Sequence, residues 1–179
     1  EKAKQLAAAQ EKVQAKVELV KSDGISDKKF TLSLGLGVNH GLLLVGEHLG
    51  LITTLNLFAS MQMMRYLEPH IRFEGYYGLA KENVSNLVGG SILSGLGITA
   101  HFGRFALMPY IDGGLFMSRI DAKAGIFNTL LPSVGAGFSI TFMPTPTWGL
   151  ALQTHAQYVL DMDMPALFIG ASLASVLRF

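Results

Sequence analysis

The sequence predicts an all-β fold, an eight-stranded antiparallel up-and-down transmembrane β-barrel with a short N-terminal helix. Three observations predict it. Charged residues fill only 15% of the 179 positions while half are hydrophobic, against about 25% charged in soluble domains. Two long runs, 87–102 and 124–160, contain no Asp, Glu, Lys or Arg. From Lys29 onward apolar residues recur with a period of two, the spacing at which strand side chains share a face. A helical span would need about 20 predominantly apolar residues, and both charge-free runs are broken by Gly, Ser, Thr or Pro, which a helix tolerates poorly.

Residues 1–28 form the first unit. They are rich in Ala, Lys, Glu and Gln, and Leu6, Ala9, Val13, Val17 and Val20 fall three and four apart on one helical face,. Gly24 supplies a stop signal. The second unit, 29–179, is the barrel. In the segment 30–39 every even position is apolar and every odd one small or polar. The same alternation returns at 49–61, 71–80, 88–102, 105–118, 132–142, 148–160 and 166–179, giving eight strands. Their apolar rows include Leu55 and Leu57, Phe73 and Tyr77, Ile111 and Leu115, and Leu150 and Leu152.

Alternation alone does not say which face points outward, because a soluble barrel also alternates. The polar rows decide it. They hold Gly35, Gly37, Gly95, Gly97, Gly135, Gly137 and Gly170, with Ser and Thr and almost no Lys or Glu. That composition suits a narrow interior and not a solvated exterior. The apolar rows therefore face lipid, and Trp148 and Tyr158 near the two ends of one row fit paired interfacial girdles. Closure follows because an open sheet edge has no hydrogen-bonding partner in hydrocarbon. Connections at 103–104 and 143–147 are tight and 62–70 is somewhat longer. Those at 40–48, 81–87, 119–131 and 161–165 are expected to form longer loops at the opposite, outer end.

The charge balance excludes other classes. Fourteen Lys and Arg nearly cancel thirteen Asp and Glu, and no basic face appears, so nucleic acid is not an expected partner. With no cysteine, disulfides, thiolate metal sites and cysteine nucleophiles are all absent. The chain starts at Glu1 without an initiator Met or signal-like segment,, and is read as a fragment of a longer protein.

At the C-terminus, Ile169, Ala171, Leu173, Ser175, Leu177 and Phe179 alternate outward before a terminal aromatic. This row resembles the C-terminal signal strand of bacterial outer-membrane proteins. With the eight-strand count, residues 29–179 resemble the family of small barrels typified by the transmembrane domain of outer-membrane protein A. The resemblance implies an outer-membrane location with both termini periplasmic. It also implies outer-membrane lipid as surroundings and recognition of Ile169, Leu173, Leu177 and Phe179 by the barrel-assembly machinery. Ser175 interrupts the row.

Inward positions hold Arg72, Glu74, His101, Asp112, His155 and Arg178. Unpaired charges in a narrow interior are costly, so these are expected to pair as a lumen polar network. Counted from the periplasmic end, Arg72, Glu74, His101 and Arg178 fall low. Asp112 and His155 fall about eight residues higher, roughly 19 Å at ~3.3 Å per residue and a tilt of ~45°. Two clusters are therefore expected, with Asp112 and His155 in contact past Gly135 and Gly137. An eight-stranded barrel is just wide enough for side chains to fill, so the network is read as a plug and not a channel.

The outer connections hold His40, Glu47 and His48, then Glu82, Asn83 and Ser85. These are residue types that outer-leaflet acyl-transfer chemistry needs, but their spacing matches no lipid A palmitoyltransferase or deacylase signature. Two histidines without a third ligand make no metal site. Gly35-Leu36-Gly37 and Gly89-Gly90 precede no helix and do not read as phosphate loops. The expected function is a non-enzymatic barrel anchoring an upstream periplasmic segment, with a periplasmic partner reached through the N-terminal helix and no cofactor or metal. A lipid-modifying enzyme and a loop-based adhesin or receptor are the alternatives.

Overall fold

The computed structural model describes residues 31–45, 48–63, 66–79, 84–122, 125–161 and 165–179. The N-terminal helix expected within 1–28 lies outside the described residues. The strands are β1 (Thr31–Val45), β2 (His48–Gln62), β3 (Leu67–Leu79), β4 (Val84–Ile98, resuming past Thr99 as Ala100–Phe102), β5 (Phe105–Ala122), β6 (Gly125–Phe142), β7 (Trp148–Val159) and β8 (Ala166–Arg178). Each pairs antiparallel with its sequence neighbour, and β8 pairs back onto β1, closing an eight-stranded barrel. The seam is completed by Phe179 N–H donating to the Leu32 carbonyl at 2.9 Å. We call the end where β1 begins and β8 finishes the proximal end.

Register sets the tilt. From Ser33 the paired residues run through Ser60, His70, Gly95, Asp112, Gly135, Gln157 and Phe168, and return to β1 at Leu43. One circuit thus climbs ten residues along β1 toward the distal end. Such stagger obliges the strands to tilt by about 35–45°. Every lateral step in the direction β1 to β2 to β3 gains height.

The apolar rows face outward. Leu51, Leu55, Leu57, Ile111, Leu130, Leu152 and Leu173 are all at least half exposed, while Asn39, Thr54, Asn56, Arg72, Glu74, Gln153 and His155 are buried. This inverts a soluble protein and is the arrangement that lipid imposes. Exposed Tyr66, Phe102, Phe105, Phe142, Trp148 and Phe179 ring the proximal rim, with Phe105 and Phe142 stacked at 4.9 Å between centroids. Ser175, the break in the outward row of β8, accepts a hydrogen bond from the Trp148 indole N–H at 3.0 Å. Its hydroxyl satisfies a girdle donor that hydrocarbon could not.

Three of the four distal connections are shorter than expected, and the fourth falls where it was expected. Strands reach Val45, resume at His48, and continue through Ala122 and from Gly125, so His40 and Ser85 lie on strands and not in loops. Links of 46–47, 80–83, 123–124 and 160–165 are of the same order as the proximal 63–66, 103–104 and 143–147. The period-two signal fades where the interior also turns apolar: Leu42, Leu43 and Leu44 are consecutive because Leu43 packs inward against a cluster containing Ile52 and Phe168. Most of the residues expected as loops at 40–48, 84–87 and 119–131 belong to continuing strands, while the link expected at 161–165 does lie between β7 and β8.

Candidate functional site: a sealed polar ladder in the lumen

The interior is layered. Near the proximal end Phe58, Ala151, Ala174 and Val176 form one apolar layer. Toward the distal end Ile52, Tyr76, Phe116, Val159, Ala166 and Phe168 form another, flanked by Leu43, Leu87 and Leu131. Between them lies a connected set of charged and polar side chains.

Asp112 and His155 are its centre. His155 Nε2 lies 3.3 Å from Asp112 Oδ1, and Nδ1 on the other side of the ring lies 3.6 Å from Glu74 Oε1. The second distance is beyond a hydrogen bond but within reach of Coulomb attraction in a low dielectric. Glu74 also meets Arg72 at 3.4 Å, and Arg72 stacks its guanidinium 4.6 Å from the Tyr110 ring centroid, a cation–π contact. His70 stands edge-on to Tyr110 at 5.2 Å and faces Asp112 at 3.7 Å. Tyr110 donates its hydroxyl to the Thr154 carbonyl at 3.1 Å. Above this set the Tyr76 hydroxyl sits 2.5 Å from Glu74, 2.6 Å from Gln157 Oε1 and 2.7 Å from Ser91, and Gln157 donates to Ser133 at 2.9 Å. Arg72 and Glu74 are only 3% and 4% exposed. One fixed cation and two carboxylates with two imidazoles between them are thus held out of water.

Two clusters exist, but their membership differs from the expected one. Arg72 and Glu74, placed low by counting, belong with Asp112 and His155. Two effects account for the correction: β3 starts at Leu67 rather than 71, and the ten-residue stagger brings β3 and β7 to the same height by different counts. His101 and Arg178 do stay near the proximal end. There they share electrostatic surroundings with Glu68, which accepts hydrogen bonds from Ser60 and Thr99, both at 2.5 Å. A small cavity beside them is lined by polar residues including Ser33, Ser60, Glu68, Thr99 and Arg178, with Phe58, Ala106, Met108 and Val176 as its apolar wall.

Counting missed Glu68, His70, Tyr76, Tyr110 and Gln157. Tyr76 and Tyr110 were detectable by parity, each two residues from a recognised inward charge, Glu74 and Asp112. Ile169, Leu173, Leu177 and Phe179 are all exposed on the outer face of the barrel. Of the residues weighed for catalysis, His40 faces outward from β1, and Glu47, Glu82 and Asn83 lie outside the described residues. Nothing is described of the His48 and Ser85 side chains.

No known protein-family model matches the sequence, and no curated protein matches it either. Solved structures do match in shape. Neisserial surface protein A aligns with a TM-score of 0.66 at 10% identity over 82% of this chain and 96% of its own. Ail, the attachment invasion locus protein of Yersinia pestis, gives 0.61 at 13% identity, covering 84% and 99%. The N-terminal β-barrel domain of Pseudomonas aeruginosa OprF gives 0.51 at 15% identity, covering 81% and 97%. With strand count, closure and inverted polarity already established, this chain has the fold of the small eight-stranded outer-membrane β-barrels.

Proposed function

We propose that the chain is a non-enzymatic barrel of the bacterial outer membrane that anchors an upstream periplasmic segment. The observation that carries this reading is the filled lumen, in which buried Arg72, Glu74, Asp112 and His155 lie between two apolar layers. A lumen filled in this way favours a plug over a channel, and what remains useful is a rigid closed wall with an apolar exterior. In this reading the proximal end faces the periplasm, so the 1–28 segment lies there, and the outward row ending at Phe179 serves the assembly machinery.

Two measurements test it together. Purified protein in planar bilayers should give no conductance steps, and protease added to intact cells should spare residues 1–28 until the outer membrane is permeabilised. Regular conductance steps would reject the plug. Cleavage of the leader on intact cells would reverse the orientation. A mass change in lipid A after incubation with the purified protein would turn the reading toward a lipid-modifying enzyme.

A further inference from the structure

The exterior is apolar almost everywhere; Ser94 and Ser175 are isolated outward polar side chains, whereas Thr154, His40 and Thr53 fall on one ordered row. Thr154, Ala171, His40, Thr53 and Tyr77 are successive lateral partners across β7, β8, β1, β2 and β3. They make a single row on the outer wall, climbing from the middle of the barrel toward the distal girdle. His40 and Thr53 are exposed, and His40 Nδ1 lies 3.2 Å from Thr53 Oγ1. The imidazole keeps a second polar nitrogen, Nε2, with no protein partner among the described residues. Apolar neighbours on the same strand, Val38 and Leu42, are both more than 40% exposed, so this nitrogen sits within a lipid-contacting surface.

Depth identifies what can meet it. Tyr77 is 52% exposed and marks the distal interface. At ~4.8 Å between strands and a tilt of ~45°, two lateral steps place His40 about 7 Å beneath it. That is just inside the hydrocarbon, level with the first few carbons of an acyl chain. Bulk chains offer no hydrogen bond there, and an unsatisfied polar group in hydrocarbon is unfavourable. Beside His40, Ala171 projects far less than Ile169 and Leu173, which are 47% and 62% exposed on the same strand. The wall is therefore notched where a chain could lie against the ring.

We infer that the His40–Thr53 pair is a binding site for an outer-leaflet lipid whose acyl chain carries a hydroxyl group near its carboxyl end. A hydroxyl is the fitting group because it both donates and accepts. The Thr53 contact leaves Nε2 as donor in one imidazole tautomer and acceptor in the other, and a hydroxyl satisfies either. An unsubstituted chain offers only its ester carbonyl, which accepts from Nε2–H in one tautomer and gives the other nothing. This inference rests on the membrane reading above, and its test separates the two.

The test uses the full chain in detergent micelles with a matched pair of phosphatidylglycerols, one with 3-hydroxytetradecanoyl chains and one with plain tetradecanoyl chains. Retention of each is read by native mass spectrometry. The wild type should retain the hydroxylated lipid roughly tenfold better, the ratio equivalent to about 1.4 kcal/mol. His40→Leu with Thr53→Val, both on the outer wall, should erase the preference while heat-modifiable migration on gels shows the barrel still folded. Thr53→Val alone should reduce it partly. Equal retention of the two lipids by the wild type overturns the site, as does a preference that survives the double variant. A stable dimer lost in the double variant would assign the row to a second copy and overturn the lipid assignment. A chain that fails to enter vesicles at all would instead reject the membrane reading.

Discussion

His155 and Asp112 meet across a strand that lies between them. They sit on β7 and β5, each laterally paired with an inward glycine of β6: Asp112 with Gly135 and His155 with Gly137. A Cβ built on Gly135 would collide with both Asp112 Oδ1 and His155 Nε2. The 3.3 Å contact therefore exists because β6 contributes no side chain at that point.

The first prediction follows from burial on both sides of that contact. Removing one member of a buried charged pair strands the other and costs about 3–5 kcal/mol. Asp112→Ala should therefore destabilise strongly, leaving His155 and His70 facing an empty place. Asp112→Ala combined with His155→Phe should lose clearly less than the two single changes added together. Urea unfolding of the four proteins in lipid vesicles measures the coupling, and a value indistinguishable from zero would mean that the two side chains do not act as a pair.

Gly135 gives an independent handle. Gly135→Ala should destabilise by about 1–3 kcal/mol through overpacking and should also weaken the Asp112–His155 coupling. Gly113→Ala is the control, because its added methyl would meet only ordinary contacts, the nearest at 3.5 Å from the Ser133 carbonyl. Equal effects at the two positions would show that β6 does not define the gap.

The sequence revealed this architecture to an unequal degree. Strand number and the choice of outer face were legible, because lipid enforces apolar alternation over the whole wall and the inward rows of Gly and Ser are incompatible with water. Strand ends were not, because Leu43 and Leu131 are apolar on the inside too, and alternation vanishes wherever both faces are apolar. Pairing in the lumen was half legible. Asp112 and His155 could be placed together because their counts from the proximal end are similar. Glu74 could not, since its approach to His155 depends on a stagger that belongs to the closed sheet and to no single strand. His40 was read as a loop residue for the same reason that β1 was ended too early.

The height map itself can be checked with charges. Leu57 lies near the middle of the outer wall and Leu130 beyond the level of Tyr158, and they are 51% and 62% exposed, so exposure does not distinguish them. A lipid-facing arginine costs about 2–4 kcal/mol at the midplane and ~0–1 near an interface. Leu57→Arg should therefore lower folding free energy in vesicles several-fold more than Leu130→Arg. The reverse order would shift the membrane band along the barrel and with it the depth assigned to His40.

The final prediction uses the only tryptophan in the chain. Trp148 opens β7 at the proximal rim and donates its indole N–H to Ser175, so its emission reports one depth and one hydrogen bond. On folding into vesicles the emission should shift to the blue, as the ring leaves water for the interface. Lipids brominated close to the headgroup should quench it more than lipids brominated at the chain end. Ser175→Ala removes the acceptor while keeping the wall apolar, and should cost about 0.5–1.5 kcal/mol with the quenching profile almost unchanged, because aromatic neighbours still hold the ring at the rim. Ser175→Leu should cost more, since the larger side chain would compete with the indole for the same place on β8. Strongest quenching from chain-end bromines would put the start of β7 at the bilayer centre, which no barrel of this strand length and register could accommodate with β8 ending beside it.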